Sequence, residues 1–317
     1  MSEPSTTERI SLGATDVEIS PLGIGTWAWG DRLFWGYGKG GYTDADIEAA
    51  FTASLRAGIN WFDTAEVYGR GRSETLLGRY VRSAGEPVVV ATKFMPFPWR
   101  VSRGNLRRAL QKSLQRLGLP GVDLYQIHWP FPPRSIETWM GALADVVQEG
   151  LTRAVGVSNY GVEQMRRAHA ALAARDVPLA SNQVQYSLLH REPEQTGLLS
   201  LCRELNVTLI AYSPLGMGLL TGKYTPDNPP PGLRGRRTSR RRLEALQSLI
   251  GLMREIGAGH GGKTPAQVAL NWVICKGAVP IPGAKNARQA EENAGALGWR
   301  LSADEVDALD KASILPA

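Results

Sequence analysis

Short apolar runs alternate with amphipathic segments along almost the whole chain. Eight of these runs are predicted strands, and they occupy residues 22–26, 60–62, 88–92, 124–128, 154–157, 181–184, 207–212 and 278–281. Most of the runs are apolar on both faces, as the strands of a parallel sheet are when each side is covered by helices.

The segments between the runs carry the pattern of amphipathic helices. Residues 104–117 place their leucines on one face, at the spacing expected for 3.6 residues per turn. Thr264 followed by Pro265 is a typical helix start, because the hydroxyl caps the first turn and proline needs no amide partner there. The predicted helices run from Thr43 or Asp44 to Leu55, and over 72–81, 104–117, 136–147, 162–172, 193–205, 265–275 and 304–311.

Strands that alternate with helices predict βαβ units and a parallel sheet. Eight such units in a chain of 317 residues are typical of a closed (β/α)8 TIM barrel. An open doubly wound sheet would show GxGxxG after its first strand, and Gly23, Gly25 and Gly30 do not have that spacing. We therefore expect residues 1–317 to form a single α/β barrel domain, with 1–8 disordered and 8–20 forming a hairpin ahead of the first barrel strand.

Composition places the chain among globular proteins, with 43% hydrophobic and 21% charged residues. Cys202 and Cys275 lack CxxC spacing and histidine partners, which argues against a disulfide framework or a metal site and favours the reducing cytoplasm. The first residues lack an apolar signal, and polar residues interrupt the uncharged stretch 205–222, so we expect no membrane association.

The net charge of +6 raises the question of nucleic acid. The densest basic cluster is either a solvated loop or a loop that meets phosphate, and it comprises Arg234, Arg236, Arg237, Arg240, Arg241 and Arg242. No aromatic or fold signature accompanies it, so we expect no nucleic-acid partner.

Residues 257–264 match the phosphate-binding pattern GxxxxGK[ST]. That pattern binds phosphate only where a strand leads into the glycine loop. Here a helical pattern precedes it, and Pro265 removes an amide that phosphate would use. We therefore expect no working P-loop.

Polar side chains follow the predicted strands where a barrel places its active site, at the carboxyl ends. Asp63 and Tyr68 follow the second strand, Lys93 follows the third, and His128 ends the fourth. The ammonium of Lys93 would lower the pKa of Tyr68, Asp63 would hold Lys93, and His128 would orient a carbonyl oxygen. Any one of them alone is typical of packing or capping, but together they predict a proton-donating site.

Five blocks occur in order at these strand ends: Gly-Thr-Trp at 25–27, Phe-Asp-Thr-Ala-Glu-Val-Tyr-Gly at 62–69, Gly-Val-Ser-Asn at 156–159, Ala-Tyr-Ser-Pro-Leu at 211–215 and Ile-Pro-Gly-Ala-Lys at 281–285. With them the chain resembles the aldo-keto reductase family over nearly its whole length, within the branch of potassium-channel β-subunit-like and pyridoxal-type reductases. The resemblance implies NADPH-dependent reduction of aldehydes or ketones to alcohols. It also implies a tetrad of Asp63, Tyr68, Lys93 and His128, with Tyr68 as general acid.

The resemblance further implies long loops that bind NADP(H), with Tyr212 stacked on the nicotinamide. The implied cofactor residues are Gly25, Thr26, Trp27, Ser158, Asn159, Gln183, Tyr212, Ser213, Pro214, Leu215, Gly216, Gly218, Leu220, Lys223, Gly283, Lys285, Gln289, Glu292 and Asn293. Many relatives carry arginine where this chain has Gln289. Lys285 or an arginine of 234–242 would then meet the 2′-phosphate, and NADP is favoured over NAD.

Two other functions fit parts of the pattern. A cofactor-binding regulatory module related to potassium-channel β subunits is the first, although those relatives typically carry asparagine at the position of His128. A glycosidase is the second, since Asp63 and Glu66 are neighbouring carboxylates, but they share one loop instead of flanking a cleft. The partner expected is a small-molecule carbonyl substrate, in a pocket shaped by the loops after Gly30, Trp99 and Trp129. A homo-oligomer is compatible with the sequence.

Overall fold

The computed structural model describes residues 8–32, 34–38, 41–231, 235 and 238–314. The short strands β1 (Ile10–Ser11) and β2 (Glu18–Ile19) pair antiparallel as the predicted hairpin. The other strands form one parallel sheet: β3 Ile24–Gly25, β4 Trp61–Asp63, β5 Val89–Phe94, β6 Val122–Ile127, β7 Thr152–Ser158, β8 Leu179–Gln185, β9 Thr208–Tyr212 and β10 Val279–Ile281.

The parallel sheet closes on itself. Its strands follow one another in sequence order from β3 to β10. The last strand then returns to the first, because the amides of Gly23 and Gly25 donate to the carbonyls of Pro280 and Pro282, both at 3.0 Å. The fold is therefore the predicted (β/α)8 TIM barrel.

Helices cover the outside of the barrel, and their starts follow the predicted caps. The side chain of Thr43 accepts from the amide of Asp46, and Thr264 caps its helix in the same way. The described helices are α1 Asp44–Arg56, α2 Arg72–Ser83, α3 Arg103–Leu117, α4 Ile136–Gln148, α5 Val162–Ala173, α6 Glu192–Gln195, α7 Leu198–Glu204, α8 Arg240–Gly259, α9 Pro265–Cys275, α10 Ala287–Ala294 and α11 Ala303–Ala312.

One predicted helix is two. Residues 193–205 were expected to be continuous, but α6 ends at Gln195 and α7 begins at Leu198. Between them Gly197 has a φ of +80°, in the left-handed region that a right-handed helix cannot contain. Apolar periodicity cannot reveal this break, because it persists on both sides of the glycine.

The hairpin closes the amino-terminal end of the barrel. Leu12, Val17 and Ile19 are fully buried against inward-facing strand residues that include Trp61. The indole of Trp61 leaves no room for a side chain at position 23, since a Cβ there would lie 2.2 Å from the ring. We refer to this packed layer of hairpin and inward-facing strand residues as the floor of the barrel.

A polar layer lies above the floor. Trp61, Ala91 and Leu124 belong to the floor, and the residue two positions later on each strand is Asp63, Lys93 or Gln126. Because side chains alternate between the two faces of a strand, these polar groups also point into the barrel. The interior thus changes from apolar to polar over one pleat, toward the carboxyl ends.

Four further expectations concern the periphery. The segment 257–264 begins within the last turn of helix α8 and not after a strand, as expected, and the ammonium of Lys263 lies 5.8 Å from the ring centre of Trp299. Arg234, Arg236 and Arg237 lie outside the described residues, as do residues 1–7. Glu8, expected to be disordered, pairs with Arg300 at 2.6 Å. In the described part of the chain, no helix is both long and apolar enough to cross a membrane.

Candidate functional site

A cavity of about 810 Å³ opens at the carboxyl ends of the barrel strands. It contains most of the site residues expected from the sequence. Its lining is Gly25, Trp27, Ala28, Trp35, Asp63, Val67, Tyr68, His128, Trp129, Ser158, Asn159, Gln183, Tyr212, Ser213, Pro214, Leu215, Met217, Gly218, Thr221, Gly222, Lys223, Ala266, Ile281, Pro282, Gly283, Lys285, Arg288, Gln289, Glu292 and Asn293.

Asp63, Lys93 and Tyr68 form a connected set at the base of this cavity. The ammonium of Lys93 donates to Asp63 Oδ1 and to the carbonyl oxygen of Thr64, the latter at 2.9 Å. It also lies 3.5 Å from the hydroxyl oxygen of Tyr68. Lys93 is fully buried and does not reach the cavity surface, so it acts on the cavity only through its neighbours.

A tight turn presents Tyr68 to the cavity. The turn spans Tyr68–Gly71, and Gly69 within it has a φ of +55°. A Cβ at position 69 would lie 2.9 Å from the carbonyl oxygen of Gly30, so glycine is needed for both conformation and space. The turn keeps the phenol against the cavity while its backbone returns to helix α2.

Burial and charge act in opposite directions on this set. Burial raises the pKa of Tyr68, and the ammonium of Lys93 offsets that effect only in part. Burial, the largest single effect, would lower the pKa of Lys93, but the charge and hydrogen bond of Asp63 together with those of Tyr68 outweigh it, so the pKa of Lys93 is raised. Tyr68 therefore stays protonated at neutral pH, and the lowering predicted from Lys93 is present but smaller than the effect of burial.

His128 approaches the ring of Tyr68 edge-on, with ring centres 5.7 Å apart. Burial, with the charge of Lys93, lowers the pKa of His128 to about 3. The imidazole is thus neutral at physiological pH and keeps one N–H to donate. Its buried Nδ1 has no hydrogen-bond partner among the described residues.

Two glutamines complete the surroundings of Asp63. The Nε2 atoms of Gln126 and Gln183 lie 3.1 and 2.9 Å from Asp63 Oδ2. Gln183 was expected at the site, whereas Gln126 was not predicted from the sequence. The signal was available, because Gln126 precedes His128 by two residues and so points to the same face of the strand.

A second set of hydrogen bonds fixes the wall opposite Tyr68. The side-chain nitrogen of Asn159 donates to the carbonyl oxygen of His128 at 3.1 Å, and its side-chain oxygen accepts from the hydroxyl of Tyr212 at 3.0 Å. Ser158 donates to the carbonyl oxygen of Gln183 at 2.8 Å. The ring of Tyr212 is therefore held in one orientation along the cavity.

Three expected cofactor residues lie outside the lining. The hydroxyl of Thr26 donates to the carbonyl of Asp63 at 2.9 Å inside the protein, and Leu220 is fully buried in the core. Gly216 is the third. These residues shape the backbone behind the cavity wall.

The far end of the cavity is basic. Lys285 lies over the rings of Trp35 and Tyr42, at 4.5 and 4.7 Å from their centres. The side-chain oxygen of Gln289 accepts from the amide of Lys285 at 2.9 Å, so this side chain holds the loop ahead of helix α10. Arg288, which was not singled out from the sequence, is exposed and lines the cavity. None of Arg240, Arg241 and Arg242 lines it.

The mouth beside Tyr68 is aromatic. Trp27, Trp35 and Trp129 line the cavity, whereas Trp29 is buried and donates to the carbonyl oxygen of Ala284. Outside the lining, Phe131 stacks on Trp129 with ring centres 5.5 Å apart and planes within 4°. Trp99 keeps 71% of its surface exposed.

Comparisons with known proteins agree with this geometry. A model described as the aldo/keto reductase family matches residues 21–314. The chain is 45% identical over 312 residues to the chloroplastic pyridoxal reductase of Arabidopsis thaliana, covering 94% of this chain and 84% of that protein. It is 30% identical to the aldo-keto reductase YhdN of Bacillus subtilis, covering 94% and 91%.

Solved structures give the same assignment. A glycerol dehydrogenase from Gluconobacter oxydans superposes with a TM-score of 0.84 and 29% identity, covering 97% of this chain and 95% of that one. An aldo-keto reductase from Klebsiella pneumoniae, solved in complex with NADPH, has a TM-score of 0.78 and 28% identity, covering 98% and 96%. Because the family model spans the barrel from its first strand to its last helix, this chain belongs to the aldo/keto reductase family and is an NAD(P)H-dependent oxidoreductase.

Proposed function

We propose that the protein uses NADPH to reduce aldehydes or ketones to alcohols, with Tyr68 as the general acid. The observation that carries this proposal is the meeting of a protonated phenol, a buried Lys93–Asp63 pair and a neutral His128 at one end of a single cavity. When bound, the cofactor supplies a hydride to the carbonyl carbon.

The chain's own residues would then handle the charge that develops on the carbonyl oxygen. His128 donates its N–H to that oxygen and orients it. Tyr68 donates its proton, because an alkoxide is a stronger base than a phenolate. Lys93 stabilises the phenolate left behind, and Asp63 keeps Lys93 within reach of the phenol oxygen, at 3.5 Å.

The cavity also fits the cofactor along its length. Ser158, Asn159 and Gln183 offer amide and hydroxyl groups for a carboxamide, and Tyr212 offers a face on which a nicotinamide ring can stack. The turn from Gly216 to Thr221 contains Gly218 with a φ of +94°, so backbone instead of a side chain faces the adjoining space. The basic end would take the adenosine phosphates.

We propose that Arg288 and Lys285 bind the 2′-phosphate, so that the protein favours NADPH over NADH. The side chain of Gln289 is uncharged, so it cannot supply a positive charge to the 2′-phosphate, and its oxygen already accepts from the backbone amide of Lys285. The Klebsiella pneumoniae relative solved with NADPH supports the choice. The test compares dissociation constants for NADPH and NADH in the wild type and in Arg288→Ala. The variant should lose affinity for NADPH alone, and equal losses for both cofactors would contradict the assignment.

We propose neutral planar aldehydes as the substrates. Trp27 and Trp129 offer flat apolar faces on the side of Tyr68, and the ring centres of Trp27 and Tyr68 lie 6.4 Å apart. Lys285 covers the ring of Trp35 and, with the other basic lining residues Lys223 and Arg288, lies on the side proposed for the cofactor. The similarity to a protein named pyridoxal reductase supports pyridoxal as the first compound to assay.

A matched pair of substrates tests this class. Benzaldehyde should be reduced with a higher kcat/KM than 4-carboxybenzaldehyde, because the apolar faces of Trp27 and Trp129 would strip water from the added carboxylate, while Lys285 is assigned to the cofactor phosphate. Trp129→Ala should lower kcat/KM for 2-naphthaldehyde more than kcat/KM for propanal. Equal effects on both aldehydes would remove Trp129 from substrate recognition.

The alternatives are less well supported. In a glycosidase both carboxylates must be available, but Asp63 is paired with Lys93, and Glu66 is bound by Arg100 at 2.5 Å and by the amide of Met95 at 2.7 Å. For the regulatory module, His128 is the residue that favours a working reductase. NADPH mixed with an aldehyde panel separates the two, because a module would leave the NADPH absorbance unchanged on every member.

We further propose that the protein works in a reducing compartment such as the cytoplasm. Cys202 and Cys275 are both free thiols. Burial raises the pKa of Cys202 to about 12, which keeps its sulfur protonated and unreactive.

A further inference from the structure

Asp63 is surrounded by donors on both of its oxygens. Lys93 donates to Oδ1, and the two glutamine amides donate to Oδ2 from strands β6 and β8, which flank β7. Gln126 is completely buried and Gln183 is 2% exposed. The cavity is lined by Gln183 and Asp63 but not by Gln126, which lies one layer behind.

The charge of Asp63 determines which way both amides face. An ionised carboxylate only accepts hydrogen bonds, so each glutamine must turn its Nε2 toward it. The second N–H of Gln183 then points to Gln126 Oε1, at 3.4 Å from Nε2. Both hydrogens of the Gln183 amide are thereby engaged, and only its Oε1 is left to meet a ligand.

One hydrogen bond would leave the amide plane of Gln183 free to rotate about that bond, whereas two bonds fix the plane. The second bond depends on Gln126 alone, because among the described residues the Gln183 side chain donates only to Asp63 and Gln126. A residue that never reaches the cavity therefore controls which atom the cavity presents at position 183.

We propose that Gln126 is a positioning residue that locks Gln183 with Oε1 as an acceptor for the carboxamide N–H of a bound nicotinamide, while holding Asp63 against Lys93. This inference rests on the proposed function, since it requires a nicotinamide cofactor in the cavity. It adds Gln126 to the residues that act at the site, and it specifies that Gln183 presents an acceptor to the cofactor. Because the acid–base set imposes this orientation, cofactor orientation and proton donation share one buried hydrogen-bond network.

The test uses cofactor binding without turnover. The dissociation constants of NADP+ and of its 3-acetylpyridine analogue, which has no carboxamide N–H, are measured by calorimetry. The wild type should favour NADP+, and Gln126→Met should reduce that preference by about three- to tenfold, as expected for one hydrogen bond. Met fills the space of Gln, but it donates no hydrogen bond and its sulfur is only a weak acceptor.

Gln126→Glu provides a conditional rescue. A protonated carboxyl at this position can donate to Asp63 and accept from Gln183, as the native amide does, whereas an ionised one cannot donate. Burial next to a carboxylate raises the pKa of the introduced carboxyl. The preference for NADP+ should therefore approach the wild-type value at pH 6, where Gln126→Met has lost part of it, and a preference as low as that of Gln126→Met would contradict the inference.

Thr92→Val is the matched control. Thr92 is buried on the same strand as Lys93 but faces outward, where it donates to Glu74 at 2.6 Å. It should lower the melting temperature without changing the preference for NADP+. If Gln126→Met and Thr92→Val leave the preference equally unchanged, the inference is wrong. If the wild type binds no NADP+ at all, the proposed function fails instead.

Discussion

At the scale of single residues, the acid–base set owes its properties to burial as much as to its partners. Lys93 and Asp63 are almost completely inaccessible, and Tyr68 carries a raised pKa despite the ammonium beside it. A protonated phenol is the form that a general acid needs before the reaction. The partner residues then matter chiefly for the charge left behind after the proton has gone.

Tyr68→Phe should reduce kcat for a reactive aldehyde by at least about 100-fold, the lower end of the range for general acid catalysis. The dissociation constant for NADPH should change little, because the ring is kept and only the hydroxyl is removed. Single-turnover reduction with cofactor affinity measured in parallel checks both. Turnover at the wild-type rate would take Tyr68 out of its proposed role.

His128 should make the protein sensitive to acid. Its pKa is about 3 in the folded state, against about 6.5 when unfolded, so the unfolded state binds more protons between these values and stability falls as pH drops below about 6.5. From pH 6.5 to 4.5 this group should remove about 2–3 kcal/mol. In urea unfolding, His128→Asn should lose less stability than the wild type over this window. Parallel losses would argue against a neutral, buried imidazole.

Much of the site could be predicted residue by residue, because the carboxyl ends of eight strands must meet at one face of a barrel. The exceptions have local causes. Arg288 lines the cavity, while the amide of Gln289 is drawn to the loop backbone, a side-chain choice that sequence does not specify. The inward direction of Gln126 could have been predicted from its position two residues before His128, but its hydrogen bond to Asp63 is known only from the structure.

At the scale of elements, most helices were predicted to within a few residues, since leucine spacing and capping residues define them locally, but helix α10 was not predicted. The break at Gly197 was not, because a glycine inside an apolar pattern is compatible with either a helix or a turn. Strand β3 is also shorter than its apolar run, with a ladder of only Ile24–Gly25.

Helix α2 packs against the end of α3 through a glycine. A Cβ on Gly78 would lie 2.0 Å from the carbonyl oxygen of Leu117, whereas Gly251 in α8 has nothing within 4 Å. Gly251→Ala should stabilise the protein by about 0.5–1 kcal/mol through helix propensity. Gly78→Ala should instead destabilise it by about 1–3 kcal/mol through overpacking. Urea denaturation of the pair checks the contrast, and a gain in both variants would exclude a close approach of these helices.

At the scale of the whole molecule, stability and chemistry lie at opposite ends of the barrel. The floor is apolar and includes the hairpin, while the cavity opens above the polar layer. The alternation of strands and helices predicted the barrel, and the polar tract before it predicted a hairpin. That the hairpin packs into the barrel depends on Trp61 and small inward-facing residues, whose direction is known only once the strands are aligned.

Ile19→Ala should therefore destabilise the protein by about 2–4 kcal/mol, the usual cost of truncating a buried isoleucine. The affinity for NADPH should be unaffected, because the change is made at the closed end. Glu18→Ala, on the exposed face of the same strand, is the control and should stay within about 0.5 kcal/mol of the wild type. A weakened affinity for NADPH in Ile19→Ala alone would contradict the separation of the two ends.

The floor also determines the route by which molecules reach the reacting atoms. Since the hairpin fills the amino-terminal end, water, cofactor and substrate all pass the same mouth. Under the proposed scheme, an occupied mouth isolates Tyr68 from bulk solvent, and each catalytic cycle uses the proton that the phenol carried in. Tyr68 can take up a new proton from solvent only after the alcohol has left, so product release must precede the next cycle.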